Sequence, residues 1–397
     1  LYERDAVYQF GVLLQRSVIF LFVIVFAGLA AWLLDDLFPS IHLPTYASLF
    51  ALATVLNFVA VMATRLAFSS LPKPDFFKRR VLVLGRGDLG HRIRSFLNEE
   101  GGTTLQEVGY VDFDDVRAGS DGAAAAKPAD IYQLARELDA DEVVIASQEW
   151  RGLPVWSLLD CKLLGIRVTE YLTFWERETG RIDLDQVKPS WLALSDGFRR
   201  SELRLFVKRT FDIVVSLALL TVTFPLLAMA AILIKLDSPG PVFYRQDRIG
   251  RNGEIFEVIK FRSMRADAER DGQPKWASRI DPRVTRVGLF LRRSRIDEIP
   301  QIINVLLGDM SFVGPRPERP YFDKELAEKL PYYEMRHNVR PGITGWAQVN
   351  YPYGASVEDA RNKLEYDLYY VKNGSLFLDI VILLQTVRVV LFGEGAR

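Results

Sequence analysis

At 397 residues the chain has room for two or three domains, and its 50 basic and 50 acidic side chains cancel, so no global charge draws it to nucleic acid. A single cysteine, Cys161, rules out an intrachain disulfide, and three scattered histidines argue against a histidine-centred hydrolase triad or a His-rich zinc site. Chemistry here must run on carboxylates, cations and a bound metal.

Residues 1–72 are expected to form a transmembrane helical hairpin. Ser17–Leu34 is a run of 18 uncharged residues and Tyr46–Thr64 one of 19, each near the length that crosses a bilayer core. Arg4 and Arg16 precede the pair and Arg65, Lys73, Lys78, Arg79 and Arg80 follow it, while the intervening loop carries Asp35 and Asp36 but no Lys or Arg. By the positive-inside rule both ends of the hairpin face the cytoplasm.

Residues 76–185 read as a Rossmann-like α/β domain. The apolar run Val81–Leu84 predicts a buried strand, and Gly85-Arg-Gly87-Asp-Leu-Gly90 follows it at once and opens a helical pattern. A second strand over Glu107–Phe113 brings Asp112 to the place of a ribose-binding acid. Helices near Ile131–Leu138 and Val155–Leu164 then alternate with strands at Glu142–Ala146 and Arg167–Glu170. Gly85, Gly87, Gly90 and Asp112 are therefore candidate nucleotide-binding residues, although the glycines serve equally well for a tight turn and close helix–strand packing. Residues 186–203 read as a linker.

Ile213–Ile234 is a third uncharged run, 22 residues long, with Pro225 near its centre and Lys208, Arg209 and Lys235 at its flanks. Positive charge on both sides favours a re-entrant helix over residues 211–236, bent at Pro225, although a plain kinked span fits the same residues. Thr221 and Thr223 are placed to bond backbone carbonyls that the proline frees.

From Pro241 to Pro320 there are 16 Lys and Arg against 11 Asp and Glu, a local field suited to anionic ligands. Within it, Arg292, Arg293 and Arg295 lead into Asp297 and Glu298, Pro300 opens an apolar helical run to Leu307, and Gly314-Pro315-Arg316-Pro317 returns another guanidinium on a rigid loop. Carboxylates beside guanidiniums at a helix start suit phosphate handling, one as nucleophile and one as metal ligand or base. An N-cap Asp with a solvated Glu and surface arginines is the competing reading. The last apolar stretch, Leu376–Phe392, is broken by Asp379, Gln385 and Arg388 and predicts an interfacial or core-packed helix.

Leu236-Asp-Ser-Pro-Gly-Pro-Val-Phe-Tyr-Arg-Gln-Asp-Arg248, Ile259-Lys-Phe-Arg-Ser-Met264, Asp297-Glu298, Gly308-Asp-Met-Ser311, Pro315-Arg-Pro317 and Arg340-Pro-Gly-Ile-Thr-Gly-Trp-Ala-Gln348 occur in order. The set resembles the bacterial sugar transferases, in particular the long monotopic phosphoglycosyl transferases, which are polyprenyl-phosphate hexose-1-phosphate transferases. The resemblance runs from about Arg204 to the C-terminus. It implies an α/β membrane protein with the hairpin, the Rossmann-like domain and a mainly helical catalytic domain, residues 204–397, carrying the re-entrant helix. It also implies transfer of a sugar-1-phosphate from a UDP-sugar to polyprenyl (undecaprenyl) phosphate, with release of UMP. That reaction is the first membrane step of exopolysaccharide, capsule or O-antigen synthesis. Asp297 would be the nucleophile, Glu298 its helper at the metal or as base, Mg²⁺ the ion held by both, and Lys260, Arg262, Arg292 and Arg316 the cations on phosphate oxygens. The location implied is the cytoplasmic face of a bacterial inner membrane, with a homodimer as a further expectation. The middle domain is expected to be dispensable for chemistry, so that a chain starting near Ser201 keeps activity. The alternative is a membrane-tethered NAD-dependent nucleotide-sugar oxidoreductase or epimerase built on Gly85–Gly90, which has no Tyr-x-x-x-Lys pair to work with.

Overall fold

The structure, a computed structural model, describes residues 78–85, 87–99, 105–112, 131–147, 153–198, 201–265, 283–352, 354 and 356–392, with Val55 and Val59 alone before them. The expected hairpin over residues 1–72 otherwise lies outside the described residues.

The first unit is a parallel sheet of β1 (Arg79–Gly85), β2 (Leu105–Asp112), β3 (Glu142–Ala146) and β4 (Arg167–Glu170) in the order β2-β1-β3-β4. Strand side chains alternate between faces, and β1 buries both sets: Val81 and Val83 pack under α1 (Asp88–Glu99) and α4 (Tyr171–Thr179). Leu82 and Leu84 pack under α2 (Ile131–Glu137) and α3 (Val155–Leu163). Leu89, Ile93 and Leu97, one turn apart, form the buried stripe of α1.

The expected linker is not a free tether. After Gly180, Ile182, Leu184 and Val187 pack into one core with Leu326, Leu330, Tyr333, Leu364 and Leu368 of the second unit. The Ile182 N–H donates to Glu365 O at 3.2 Å and Phe198 N–H to Lys372 O at 2.9 Å. A short helix, α5 (Pro189–Leu194), supplies Trp191, over whose ring Lys372 Nζ lies 4.0 Å from the centroid while bonding Glu176 at 2.6 Å. A cut at Ser201 therefore strips apolar cover from the second unit, and a truncation that tests dispensability is better placed before Ile182.

Glu365 gives this contact a pH signature. It is buried, accepts the Leu184 N–H at 3.4 Å and lies 3.8 Å from Arg181. Burial pushes its carboxyl from the ordinary 4.5 up to about 7, with Arg181 pulling the other way. The folded state thus holds this proton more tightly than the unfolded chain does. Its contribution, up to about 3 kcal/mol, is complete below the unfolded value and is lost as pH rises through the folded one. Glu365→Gln keeps the acceptor and removes the titration, so its melting temperature should vary less than the parent's between about pH 4.5 and 7. Parallel curves for the two proteins would show that Glu365 does not titrate in this window.

The second unit begins with α6 (Glu202–Asp237), 36 residues capped by Ser201, whose Oγ accepts the Arg204 N–H at 3.3 Å. It is long and apolar enough to cross a membrane, and only 11% of its most apolar window is buried, so it is not a core helix. The helix runs unbroken through Pro225. Thr221 and Thr223 donate to the carbonyls of Leu217 and Leu219 (2.8 and 2.7 Å), not to the carbonyl of Thr221 four residues before the proline, which the ring leaves without its helical donor.

A hairpin of β5 (Phe243–Ile249) and β6 (Ile255–Phe261) follows, then α7 (Arg286–Arg293), a 3-10 turn over Ile296–Gln301, α8 (Ile302–Leu307) and β7 (Ser311–Val313). After these come α9 (Pro320–Lys329), a 3-10 turn over Tyr333–Asn338, β8 (Gly342–Thr344), α10 (Trp346–Asn350), α11 (Val357–Asn373) and α12 (Leu376–Phe392). β7 and β8 pair in parallel and bring the Gly314-Pro-Arg-Pro loop beside the Arg340–Gln348 motif. On α12, Asp379 and Ile382 are buried while Phe377 is 77% exposed, so the helix has one packed face and one apolar outer face.

Candidate active site

Asp297 and Glu298 sit in the 3-10 turn that runs into α8, entered through Arg295 in the left-handed region at φ 58°. β6 lies against this turn and places Lys260 beside it, while the loop after β7 brings Arg316 from the other side. Lys260 Nζ and Arg316 Nη2 each donate to Glu298 Oε1 at 2.8 Å. Arg295 Nη1 stands 4.0 Å from Glu298 Oε2.

The adjacent carboxyls are thereby driven apart. Burial raises Glu298, but Arg316 and Lys260 outweigh it and hold the carboxyl well below the usual range. Asp297 is pushed up to about 6, first by burial and then by the Glu298 charge, with Lys260, Arg292 and Arg295 pulling it down. Two like charges side by side, only one of them paired, favour an ionised Glu298 and a more basic Asp297. Asp297 Oδ1 is also buried with no hydrogen-bond partner among the described residues, so the acceptor is left unsatisfied by the fold itself.

Asp297, Glu298, Lys260, Arg292 and Arg316 are thus brought together. Arg262 is not. Its Nη1 donates to Pro239 O at 2.8 Å and its Nη2 to Ser238 O at 2.7 Å, so it satisfies carbonyls at the C-terminal end of α6. Pro225 lies in the middle of α6, remote from this turn in the chain. Gly85, Gly87, Gly90 and Asp112 belong to the parallel-sheet unit. There a Cβ on Gly90 would lie 2.7 Å from the Tyr110 hydroxyl, and one on Gly85 3.1 Å from the Tyr110 ring. Gly87, at φ 62°, supplies the turn. These two close glycines admit a tyrosine ring, which is a packing role.

Several residues outside the predicted set complete the site. Asp212 of α6 accepts Ser311 Oγ at 3.1 Å and the Phe312 N–H at 3.3 Å. Lys208 joins Asp379 of α12 at 2.7 Å and Val313 O at 3.3 Å. Together they tie α6 to the strand that leads into the Arg316 loop. A charge at the edge of one apolar run, for Asp212, and inside another, for Asp379, was the available signal.

The model of the family described as bacterial sugar transferase matches residues 203–393. The UDP-glucose:undecaprenyl-phosphate glucose-1-phosphate transferase of Escherichia coli K12 is 33% identical over 390 residues, 96% of this chain and 81% of that protein. This chain belongs to the bacterial sugar transferase family. Other similar family members are the UDP-N-acetylgalactosamine-undecaprenyl-phosphate N-acetylgalactosaminephosphotransferase of Aeromonas hydrophila, 44% identical over 60% of this chain, and the undecaprenyl-phosphate glucose phosphotransferase of Komagataeibacter xylinus, 35% identical over 80% of it. The matches span 56% and 60% of those two relatives. Nothing in the matched sugar transferases supports the oxidoreductase alternative.

Proposed function

We propose that this chain transfers a sugar-1-phosphate from a UDP-sugar to polyprenyl (undecaprenyl) phosphate, through a phosphosugar carried on Asp297. One observation carries the reading: a buried carboxyl raised to about 6, with an unpartnered Oδ1, beside a second carboxyl that two cations keep ionised. In the first step the Asp297 carboxylate forms a bond to the β-phosphorus, the bond to the bridging oxygen breaks, and UMP leaves with that electron pair. In the second, a phosphate oxygen of the lipid attacks the same phosphorus, and Asp297 departs as a carboxylate. Phosphoryl transfer needs positioning and charge neutralisation above all, which Lys260, Arg292 and Arg316 supply. Glu298, held by two cations, organises them, and the same two cations lower its basicity and disfavour the role of a base.

The residues also fit a Mg²⁺ ion. That ion takes one or two carboxylates together with substrate phosphates and water, so it needs no cage of three side chains, and none occurs among the described residues. Asp297 would hold it, with Glu298 a lesser donor because Oε1 already accepts from two cations. The ion would neutralise diphosphate oxygens. UMP release from UDP-glucose and UDP-N-acetylgalactosamine with polyprenyl phosphate and Mg²⁺ tests the reading; no release from either, or from a wider UDP-hexose panel, overturns it.

The same reading places the catalytic unit on the cytoplasmic face of a bacterial inner membrane, where UDP-sugars are found, behind the hairpin of residues 1–72. The Rossmann-like unit is assigned a packing or dimer-forming role. If α6 enters and leaves on that face, bent at Pro225, Leu203 and Phe243 share a side. Both are exposed, at 71% and 45%. In a Cys161→Ser background, Leu203→Cys and Phe243→Cys should both escape an impermeant thiol reagent in intact cells and react after lysis. Labelling of the 243 site alone in intact cells would instead establish a full crossing.

A further inference from the structure

The loop that delivers Arg316 is held at the Gly314 N–H and at four successive carbonyls, from Pro315 to Glu318. Gly314 N–H donates to Thr344 O at 2.9 Å, Gly342 N–H to Pro315 O at 2.9 Å and Ile249 N–H to Glu318 O at 3.0 Å. Two carbonyls remain between these, and each takes a side-chain donor: Pro317 O from Arg248 Nη1 at 2.9 Å and Arg316 O from Arg336 Nη2 at 3.0 Å.

Arg336 is built for this contact and for nothing in solution. It is 7% exposed, and its Nη2 and Nε both donate to Asp367 Oδ2, at 2.8 and 3.2 Å. Its Nη1 donates to the Tyr333 hydroxyl at 2.7 Å, which leaves Nη2 to bridge the carboxylate and the Arg316 carbonyl. Asp367, 3% exposed, comes from the middle of α11, and the pair lies outside the Asp297 cluster. A buried ion pair is a poor means of stabilising a core, because desolvation offsets most of its attraction. A planar guanidinium is a good means of fixing one carbonyl in place.

We infer that Arg336, oriented by Asp367, is a positioning residue for phosphosugar transfer: it holds the backbone of Arg316 so that the Arg316 guanidinium meets Glu298 and the substrate phosphate. The inference rests on the function proposed above. It follows that Arg336 acts only through Arg316.

The experiment is a double-mutant cycle. Replacing both partners, Arg336→Met with Asp367→Leu, removes the pair without stranding a buried charge. The melting temperature should stay near the parent's, while kcat for UMP release falls about 10- to 100-fold with little change in KM, the size of loss that a slight misplacement causes. In an Arg316→Ala background the same pair replacement should cost less than about twofold, because the group it positions is gone. Equal losses in both backgrounds, or an unchanged kcat in the pair variant, overturn the inference. Should the pair variant not fold, Arg336→Lys keeps a charge on Asp367 but cannot span three acceptors, and the same two comparisons apply.

Hydrogen exchange adds a readout independent of activity. The Gly314 and Gly342 amides, which bond Thr344 O and Pro315 O, should exchange faster in the variant while those of α11 do not, and unchanged exchange at both overturns the holding role. A parent protein that releases no UMP from any UDP-hexose, yet shows the faster loop exchange in the variant, overturns the proposed function and leaves the loop contact established.

Discussion

Asp297→Asn should lower turnover by roughly 10⁴- to 10⁶-fold, the range seen when members of a nucleophilic constellation are deleted. The amide is isosteric but has no lone pair of comparable basicity to offer phosphorus, so the covalent step is lost while the cavity keeps its shape. The raised value of about 6 makes Asp297 the better nucleophile of the two carboxylates while leaving it mostly ionised at neutral pH. Binding of the UDP-sugar should persist, since Glu298 with Lys260 and Arg316 is untouched, and removal of one negative charge next to a diphosphate favours it. Calorimetric titration alongside UMP release checks both halves. Near-parent release by the purified variant would end the covalent role of Asp297, whatever the affinity.

Arg316→Ala should cost about 10²- to 10³-fold in kcat/KM, comparable to removing one preorganised donor from a site where negative charge develops. Two effects combine. The substrate loses a guanidinium, and Glu298 loses one of the two donors to its Oε1, so its charge presses harder on Asp297 and raises that carboxyl further. The sign on the pH profile follows. If Asp297 must be ionised to attack, the acid limb of kcat/KM should lie at higher pH in Arg316→Ala than in the parent, both measured at one Mg²⁺ concentration. A limb that stays in place with an unchanged kcat/KM would make Arg316 a structural residue and remove the premise of the Arg336 inference as well.

Much of the architecture was legible because it rests on local signals. Strand–glycine–helix order, the alternation of apolar runs and the length of Ile213–Ile234 are written in neighbouring residues, and the parallel sheet and the apolar helix α6 follow from them. The turn that carries Asp297 and Glu298 was legible as a helix start, because Pro300 and the apolar run to Leu307 mark it locally. The sequence read the glycines less well: whether a nucleotide or a ring lies over Gly85 and Gly90 depends on Tyr110, which comes from the next strand.

What only the tertiary structure decided is which partner each cation finds. Arg262 and Arg316 look alike as guanidiniums in basic motifs, yet one satisfies carbonyls at the end of α6 and the other meets Glu298. Arg336 had no motif to mark it, because its partners Arg316 and Asp367 lie 20 and 31 residues away. Of the linker expected over residues 186–203, Val187, Trp191 and Leu192 cover a core whose other walls are formed by α9 and α11. The physical reason is the same in each case. Residue type sets what a side chain can bond or bury, while the partner is fixed by long-range packing, which decides the carbonyls and apolar faces that the chain must satisfy.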